Sequence, residues 1–282
     1  MHTYYDCIPC FINQTISVLE MVNASDKVRE ATMRQVLTQL SNIDFHLSPP
    51  AMARSIHHTI RTISGSPDPF AAEKQRYQKL ALTLLPRLEQ MVANSDNPLH
   101  SAVLLAIAGN SIDHGVYHNM SEQRALDAID VALKAELFGE IDTFATAVNN
   151  AESILYLADN AGEIVLDRLL LQQLPAGKTT LAVRGSAIIN DALTTDAMDA
   201  GISELATIVD NGDATPGTLL EYCSEEFKQL FAAADIIIAK GQGNYETLSD
   251  CNANIFFLLK AKCPVVARHI GCEVGCAVLH HK

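Results

Sequence analysis

The chain has 282 residues, a formal net charge of −13 and an apolar fraction of 48%. This length and composition are typical of a globular protein with one large or two ordinary domains. The negative charge argues against a nucleic-acid partner, because such binding depends on lysine and arginine side chains that neutralise phosphates. No apolar run reaches the roughly 18 residues that a membrane-spanning helix needs, so no membrane partner is expected.

Two features predict a cytoplasmic location. The N-terminal residues, Met1 to Cys7, show no basic region followed by an apolar one, so no secretory signal is expected. The seven cysteines are an odd number without the spacing of a disulfide framework. That pattern favours a reducing compartment.

The first half of the chain has the pattern of helices. Apolar residues recur at helical spacing over residues 11–21, 25–40, 49–62, 70–92, 98–117 and 121–137. Pro86 is expected to kink or break the fourth of these helices. The pattern predicts an all-helical domain over residues 1–150.

Residues 151–282 alternate short β-rich runs with helical stretches. Strands are predicted over residues 153–158, 179–183, 206–209 and 235–239, with 255–259, 264–268 and 276–279 finishing the sheet. Helices are predicted over residues 163–174, 192–200, 219–233 and 244–249. This alternation predicts a C-terminal α/β domain over residues 151–282, with a mostly parallel sheet and helices on its faces. Nothing between the two halves resembles a flexible linker, so they are expected to pack together.

A polar, glycine-bearing loop follows each of the first four predicted strands. The loops contain Asp159-Asn160-Ala161-Gly162-Glu163, then Arg184-Gly185 with Asn190-Asp191, then Asp210-Asn211-Gly212-Asp213, and last Lys240-Gly241-Gln242-Gly243-Asn244. Ligands of open α/β sheets bind beyond the carboxyl ends of the strands. Acids, amides and one lysine at that edge predict a site for a metal ion and an anion.

The first loop carries the strongest chemical signal. Asp159 and Asn160 are adjacent, and their oxygens suit a hard or borderline divalent ion. Gly162 allows close backbone approach, and the following helix presents amides to an anion. The alternative is that Asp159 or Asn160 simply caps that helix.

Asp191 and Lys240 extend the predicted site. Asp191 offers a third oxygen ligand, although it could instead cap the helix that follows it. Lys240 lies at a strand end, in a loop with two glycines, an arrangement suited to holding phosphate oxygens. A surface lysine beside a flexible turn is the alternative. Four such features on one edge of one sheet are unlikely to arise by chance.

These motifs together resemble the damage-control phosphatases. The resemblance rests on Asp159-Asn160-Ala161-Gly162-Glu163, Asn190-Asp191, the stretch from Asn211 to Thr218, and Lys240-Gly241-Gln242-Gly243-Asn244-Tyr245-Glu246. Cys7-Ile8-Pro9-Cys10 resembles the subfamily with an N-terminal C-x-x-C, and Gly109-Asn110-Ser111-Ile112-Asp113 resembles a stretch that lines the site. The resemblance covers nearly the whole chain. It implies a helical domain packed on a three-layer α/β domain, and metal-dependent phosphatase activity.

The resemblance also implies roles for individual residues. The positions that match Asp159, Asn160 and Asp191 hold the metal in the family, and the position that matches Lys240 contacts the phosphate. Ala187 departs from the family pattern, in which proline precedes the run that ends at Asp191. The oxygen ligands would accept Mn²⁺, Co²⁺, Ni²⁺ or Mg²⁺.

The expected reaction is hydrolysis of a phosphomonoester of a small metabolite, such as a sugar phosphate, a phosphopantetheine-type compound or a damaged phosphometabolite. The nucleophile is either a water on the ion or the Asp159 carboxylate. Glu163 is predicted to orient water, or to place favourable charge at a helix start.

Further substrate contacts are predicted from Gly162, Gly241 and Asn244 at the strand ends, together with Asn110 and Asp113 from the helical half. Asn110 and Asp113 are spaced to share one helix face. They could instead form a buried polar pair between the two halves.

Two other functions stay open at the level of sequence. One is a non-catalytic sensor that binds a phosphorylated metabolite and responds to redox state or zinc through Cys7 and Cys10. The other is a nucleotide-cofactor enzyme such as a methyltransferase, against which the absence of a glycine-rich fingerprint argues. Cys272 and Cys276 could complete a zinc site with the first pair, whereas inert packed thiols are the alternative.

Overall fold

The structure is a computed structural model, and it describes residues 1–112 and 122–282, with only the backbone of residues 110–112. The first six helices are Cys7–Met21 (α1), Asp26–Ser41 (α2), Pro49–Ser64 (α3), Ala71–Ala93 (α4), Pro98–Ile112 (α5) and Glu122–Leu133 (α6). They confirm the helical character of the N-terminal half. The predicted continuation of the fifth helix to residue 117 lies outside the described residues.

The strands in the described residues are Leu137–Phe138 (β1), Ile154–Leu157 (β2), Thr179–Val183 (β3), Thr207–Asp210 (β4), Ile236–Lys240 (β5), Ile255–Lys260 (β6) and Ala277–His281 (β7). Helices connect them: Ile141–Asn150 (α7), Ile164–Leu171 (α8), Thr194–Asp199 (α9), Glu225–Ala233 (α10), Gly241–Leu248 (α11) and Pro264–Ile270 (α12). None of the described helices combines the length and apolar character needed to cross a bilayer.

The strands form one sheet in the order β1-β7-β6-β5-β2-β3-β4. Every neighbouring pair is parallel except β6 with β7. The chain moves outward from β2 to β3 and β4 on one side, and from β5 to β6 on the other. The strand order therefore reverses between β2 and β5, which is where open α/β sheets bind their ligands.

Side chains alternate between the two faces of the sheet, as strand geometry requires. Tyr156 and Ile238 belong to a core shared with α4, α5, α7 and α8, whereas Leu157 and Phe257 belong to a core on the opposite face with α10, α11 and α12. The layers confirm the predicted α/β fold with a mostly parallel sheet. A third apolar cluster lies within α1 to α3. The boundary at residue 150 stays a prediction, because α4 to α7 share a core with the sheet.

Helix α4 is continuous through Pro86 and packs against α5 and α8, so Pro86 does not break it, and a kink there stays a prediction. Two other local predictions are wrong, each for a physical reason. The stretch predicted as one helix over residues 219–233 is a short 3₁₀ turn and then α10, because the Ser224 hydroxyl caps α10 by accepting from the Phe227 amide at 3.2 Å. Residues 264–268 form α12 and not a strand, since Pro264 opens a helix readily and cannot donate to a sheet.

Candidate active site

The three predicted metal ligands are brought together by the loops that follow β2 and β3. Asn160 and Asp191 form an isolated antiparallel bridge. The Ala192 amide donates to the Asp159 carbonyl at 2.8 Å, and the Ala161 amide donates to the Asn190 carbonyl at 2.9 Å. These bonds fix the two loops side by side, at the point where the strand order reverses.

Asp191 is held by a buried arginine. The Arg184 Nε donates to Asp191 Oδ2 at 2.7 Å, and both side chains are at most 4% exposed. The same guanidinium donates to the Thr218 hydroxyl at 3.1 Å and to the Asn244 amide oxygen at 3.3 Å. Arg184 therefore orients Asp191 from behind the site.

The loop that carries Asp191 is tied to the N-terminal helices. Ile189 has a φ of +45°, an uncommon conformation for a β-branched residue, and its side chain packs on the cluster of α1 to α3. Arg61 of α3 donates to the Ala187 carbonyl at 3.2 Å. Strained backbone of this kind concentrates at functional sites, where the surrounding structure has to hold it.

Acidic side chains lie close together at the centre of the site. Burial raises the pKa of the Asp159 carboxyl well above its usual value, and the nearby Glu163 and Asp191 carboxylates raise it further. Burial also raises the pKa of Asp191, against the opposing effect of Arg184. Buried acids that raise each other's pKa favour a cation between them. Carboxylate and amide oxygens from Asp159, Asp191 and Asn160 fit a hard or borderline divalent ion.

Lys240 lies beneath this cluster and not on its open surface. Its ammonium is completely buried and donates to Glu163 Oε1 at 2.5 Å, Asp167 Oδ1 at 2.6 Å and the Ala106 carbonyl at 2.9 Å. Those three contacts use all the donors of an ammonium group. The two carboxylates raise the pKa of Lys240, although burial opposes them. Phosphate contact by Lys240 stays a prediction, and it would require another arrangement of this side chain.

Glu163 links that buried lysine to the predicted ligands. It is 1% exposed, and its Oε2 accepts from the Asn160 amide nitrogen at 2.9 Å. The same nitrogen donates to Asp159 Oδ2 at 3.0 Å. Helix α5 passes so close that a methyl group added at Gly109 would lie 3.0 Å from the Glu163 Cγ. Glu163 therefore positions the Asn160 amide, and its predicted role in orienting water stays untested.

Gly241 and Asn244 support the site from α11. Gly241 has a φ of +79°, and a side chain there would overlap the Asp159 carboxylate. Asn244 is fully buried, donates to the Lys240 carbonyl at 2.7 Å and accepts from the Thr218 hydroxyl at 2.8 Å. Both residues have structural reasons to be where they are, and their predicted substrate contacts stay predictions.

A cavity of about 480 Å³ opens beside the cluster. Asp159, Asn160 and Asp191 line one side, and α1 and α3 supply the opposite wall, which includes Phe11 and Pro50. Other residues that line this cavity include Cys7, Cys10, Gln242, Gly243, Glu246, Lys262 and Cys263. The N-terminal helices thus form a wall of the candidate site.

The remaining predicted residues are placed as follows. Gly162 is buried in the turn before α8. Asp113 lies outside the described residues, as does the Asn110 side chain. Cys7 and Cys10 lie in the first turn of α1, where burial raises the pKa of both thiols.

Zinc binding by the cysteines finds no support in the described residues. No three histidine, cysteine, aspartate or glutamate side chains of residues 1–112 and 122–282 are placed to hold a metal ion. The Asp159 and Asp191 carboxylates would therefore depend on Asn160 and on water or substrate oxygens to complete a metal's coordination.

The sequence analysis assigns no role to the residues that organise the site from behind. Tyr156, Asp167 and Arg184 are buried, and the Tyr156 hydroxyl donates to Asp167 Oδ1 at 2.8 Å. Asp167 lies one helical turn after Glu163, a spacing that could have indicated a shared partner. Arg184 directly follows β3, at the edge already singled out. Nothing in the sequence indicates that Tyr156 would bond to Asp167.

Comparison with known proteins shows which proteins this chain resembles. Residues 3–278 match the model of the damage-control phosphatase ARMT1-like domain. A damage-control phosphatase of Pyrococcus horikoshii, PH1575, is 34% identical over 284 residues, covering 99% of this chain and 97% of that protein. A damage-control phosphatase of Archaeoglobus fulgidus is 37% identical over 229 residues, covering 79% of each chain. The crystal structure of PH1575, described as a DUF89 family protein, superimposes with a TM-score of 0.92 at 32% identity and covers 100% of this chain and 99% of that one.

Proposed function

This chain belongs to the damage-control phosphatase family, which supports a role as a phosphatase in metabolite repair, and we propose that it hydrolyses phosphomonoesters of small metabolites with the help of a divalent cation. One observation carries the metal dependence. Asp159 and Asp191 are two acids with raised pKa values, joined with Asn160 on the wall of a cavity at the reversal of strand order. We also propose that the protein is located in the reducing cytoplasm, because its seven cysteines lack the spacing of a disulfide framework.

In this proposal each residue of the site has its own role. Asp159, Asn160 and Asp191 would hold the ion, which supplies charge to offset the negative charge that develops on the phosphoryl oxygens. Asp159 would lose its proton on binding the ion, because a cation favours the charged form of the carboxyl. The Asp159 carboxylate is then placed to act in one of two ways. It could attack phosphorus and displace the alcohol, which leaves an aspartyl phosphate that water hydrolyses to free phosphate. It could instead accept a proton from a water that attacks phosphorus as the bond to the alcohol oxygen breaks, and return that proton to the alcohol. Arg184 keeps Asp191 aimed at the same point.

The size of the cavity supports a small substrate. A volume of about 480 Å³ would hold one phosphoryl group and a compact organic group such as a sugar. The apolar part of the wall, from Phe11, Pro49, Pro50 and Ala53, would contact that organic group.

The test is phosphate release from chelator-treated protein. Mn²⁺, Co²⁺, Ni²⁺ or Mg²⁺ is added back singly, with an aryl phosphate and a panel of sugar phosphates as substrates. We expect turnover to return with at least one of these ions. Full turnover of the chelated protein, with no response to any ion, would contradict metal dependence.

A second candidate is a binder without catalysis, because the Cys7 and Cys10 thiols line the same cavity as Asp159. Such a protein would show saturable binding of a phosphorylated metabolite with no phosphate release. Replacement of both cysteines by serine would then abolish the response to redox state. The same replacement should leave the metal dependence of a phosphatase intact.

A further inference from the structure

Neither Lys240 nor Arg184 is placed to contact a phosphoryl group in the cavity. Lys240 is 0% exposed and bound to two carboxylates, and Arg184 is 3% exposed and bound to Asp191, Thr218 and Asn244. Neither belongs to the cavity lining. Lys262 is the one lysine or arginine in that lining among the described residues.

The position of Lys262 follows from the sheet. Strand β6 pairs in parallel with β5, so its end lies at the same edge as the loops after β2 and β5. Lys262 comes two residues after β6 ends at Lys260. Its backbone is fixed because the Lys262 amide donates to the Gln242 side-chain oxygen at 3.1 Å. The neighbouring Ala261 amide donates to the Cys276 carbonyl at 3.1 Å.

Lys262 shares a cavity with the candidate metal ligands, because it lines the same space as Asp159, Asn160 and Asp191. The Lys262 side chain is exposed, and its ammonium takes part in none of the ion pairs found in the described part of the chain. A flexible, exposed ammonium on the wall of an acidic cavity is suited to meet an incoming anion.

We propose that Lys262 is a substrate-binding residue that contacts the phosphoryl oxygens in the cavity lined by Asp159, Asn160 and Asp191. The first turn of α11 adds backbone amides, since Gln242 and Gly243 line the same cavity. Lys240 then acts through Glu163 and Asn160 as a positioning residue. The assignment of Lys262 rests on the proposed function for its substrate, but the anion site itself can be tested without turnover.

The test measures binding of inorganic phosphate to the full-length protein by calorimetry, in the presence of the ion that best restores turnover, or of Mg²⁺ if none does. Wild type is compared with Lys262→Met, which keeps most of the side-chain stem, and with Lys262→Arg. Lys228→Met, at a half-buried lysine of α10 outside the cavity lining, is the control for loss of one positive charge. We expect Lys262→Met to weaken phosphate binding by about tenfold or more, because hydrogen bonds to charged groups are the stronger class. We expect Lys262→Arg and Lys228→Met to stay within about threefold of wild type.

The outcomes separate this proposal from the proposed function. Unchanged phosphate affinity in Lys262→Met overturns the assignment, even if wild type is an active phosphatase. Weaker phosphate binding in Lys262→Met together with inactive wild type supports the anion site and refutes the phosphatase. An active enzyme should show the loss in KM more than in kcat, and an equal fall of kcat and kcat/KM would contradict a binding role. A wild-type protein that neither binds phosphate nor turns over refutes both.

Discussion

Replacement of Lys240 by methionine tests the buried network behind the site. Lys240 Nζ lies 2.5 Å from Glu163 and 2.6 Å from Asp167, and these three side chains are at most 1% exposed. Methionine would keep most of the stem but leave two carboxylates buried without their cation. Breaking a buried ion pair by removing one partner costs about 3–5 kcal/mol. That is a large part of the roughly 5–15 kcal/mol by which native proteins are stable.

The pH dependence of the Lys240→Met variant should reveal the cause. Burial already raises the pKa of Asp167 from 3.8 to about 6 although Lys240 lowers it, so loss of Lys240 should raise the Asp167 pKa further. The native state would then bind more protons than the unfolded state above about pH 4, and its stability falls as the pH rises. The deficit relative to wild type should therefore grow from pH 5 to pH 8.

The assay is urea unfolding of both proteins, followed by circular dichroism. We expect the midpoint of Lys240→Met to fall by about 1 M or more. Lys228→Met, which removes an exposed ion pair, should change the unfolding free energy by less than about 1 kcal/mol. Adding Asp167→Asn to Lys240→Met should recover part of the loss. A Lys240→Met protein as stable as wild type would refute the buried network, and a stable but inactive one would favour direct contact with phosphate.

Three further predictions concern the site itself. Gly241→Ala should abolish activity, because the new methyl group overlaps the Asp159 carboxylate. The control is Gly271→Ala, at a φ of +88° with nothing within 4 Å, which should lose only about 1–2 kcal/mol of unfolding free energy and keep its activity. Equal activity of the two variants would contradict the overlap. Arg184→Gln should weaken Mn²⁺ binding about tenfold, as measured by calorimetry, because residues that hold a metal ligand in place typically contribute that much to affinity. Unchanged Mn²⁺ affinity would mean that Arg184 does not orient Asp191. Metal affinity in wild type should rise with pH, because protons compete for Asp159 and Asp191, whose pKa values are raised; a pH-independent affinity would exclude these two ligands.

The sequence predicted the elements whose signals are local. The β-rich run over residues 179–183 predicts strand β3 with its observed ends, because the run stops at a polar loop. Alternation of strands and helices was enough to predict the parallel sheet, and hence that Asp159 and Asp191 would lie near each other. Both follow from the period of the pattern and from the rule that parallel strands share a carboxyl edge.

Structural features that depend on contacts between distant parts of the chain could not be predicted in the same way. Strand β1 is two residues long and exists because Leu137 and Phe138 pair with β7, some 140 residues later in the chain. The sequence gives no sign that Lys240 would turn inward, since its partners lie more than 70 residues earlier, Glu163 just before α8 and Asp167 within it. The wall formed by α1 and α3 is likewise a product of packing between segments far apart in sequence.

The most direct test of the central claim is phosphate release by Asp159→Asn compared with Asp210→Asn. Both replacements exchange one carboxylate for an amide at the carboxyl end of a parallel strand of the same sheet, β2 for Asp159 and β4 for Asp210, but Asp210 is exposed and lies outside the cavity lining. With the ion that restores wild-type turnover, and with folding checked by circular dichroism, we expect Asp159→Asn to lose turnover and Asp210→Asn to keep it. Near-normal turnover by a folded Asp159→Asn protein would contradict the account of this site.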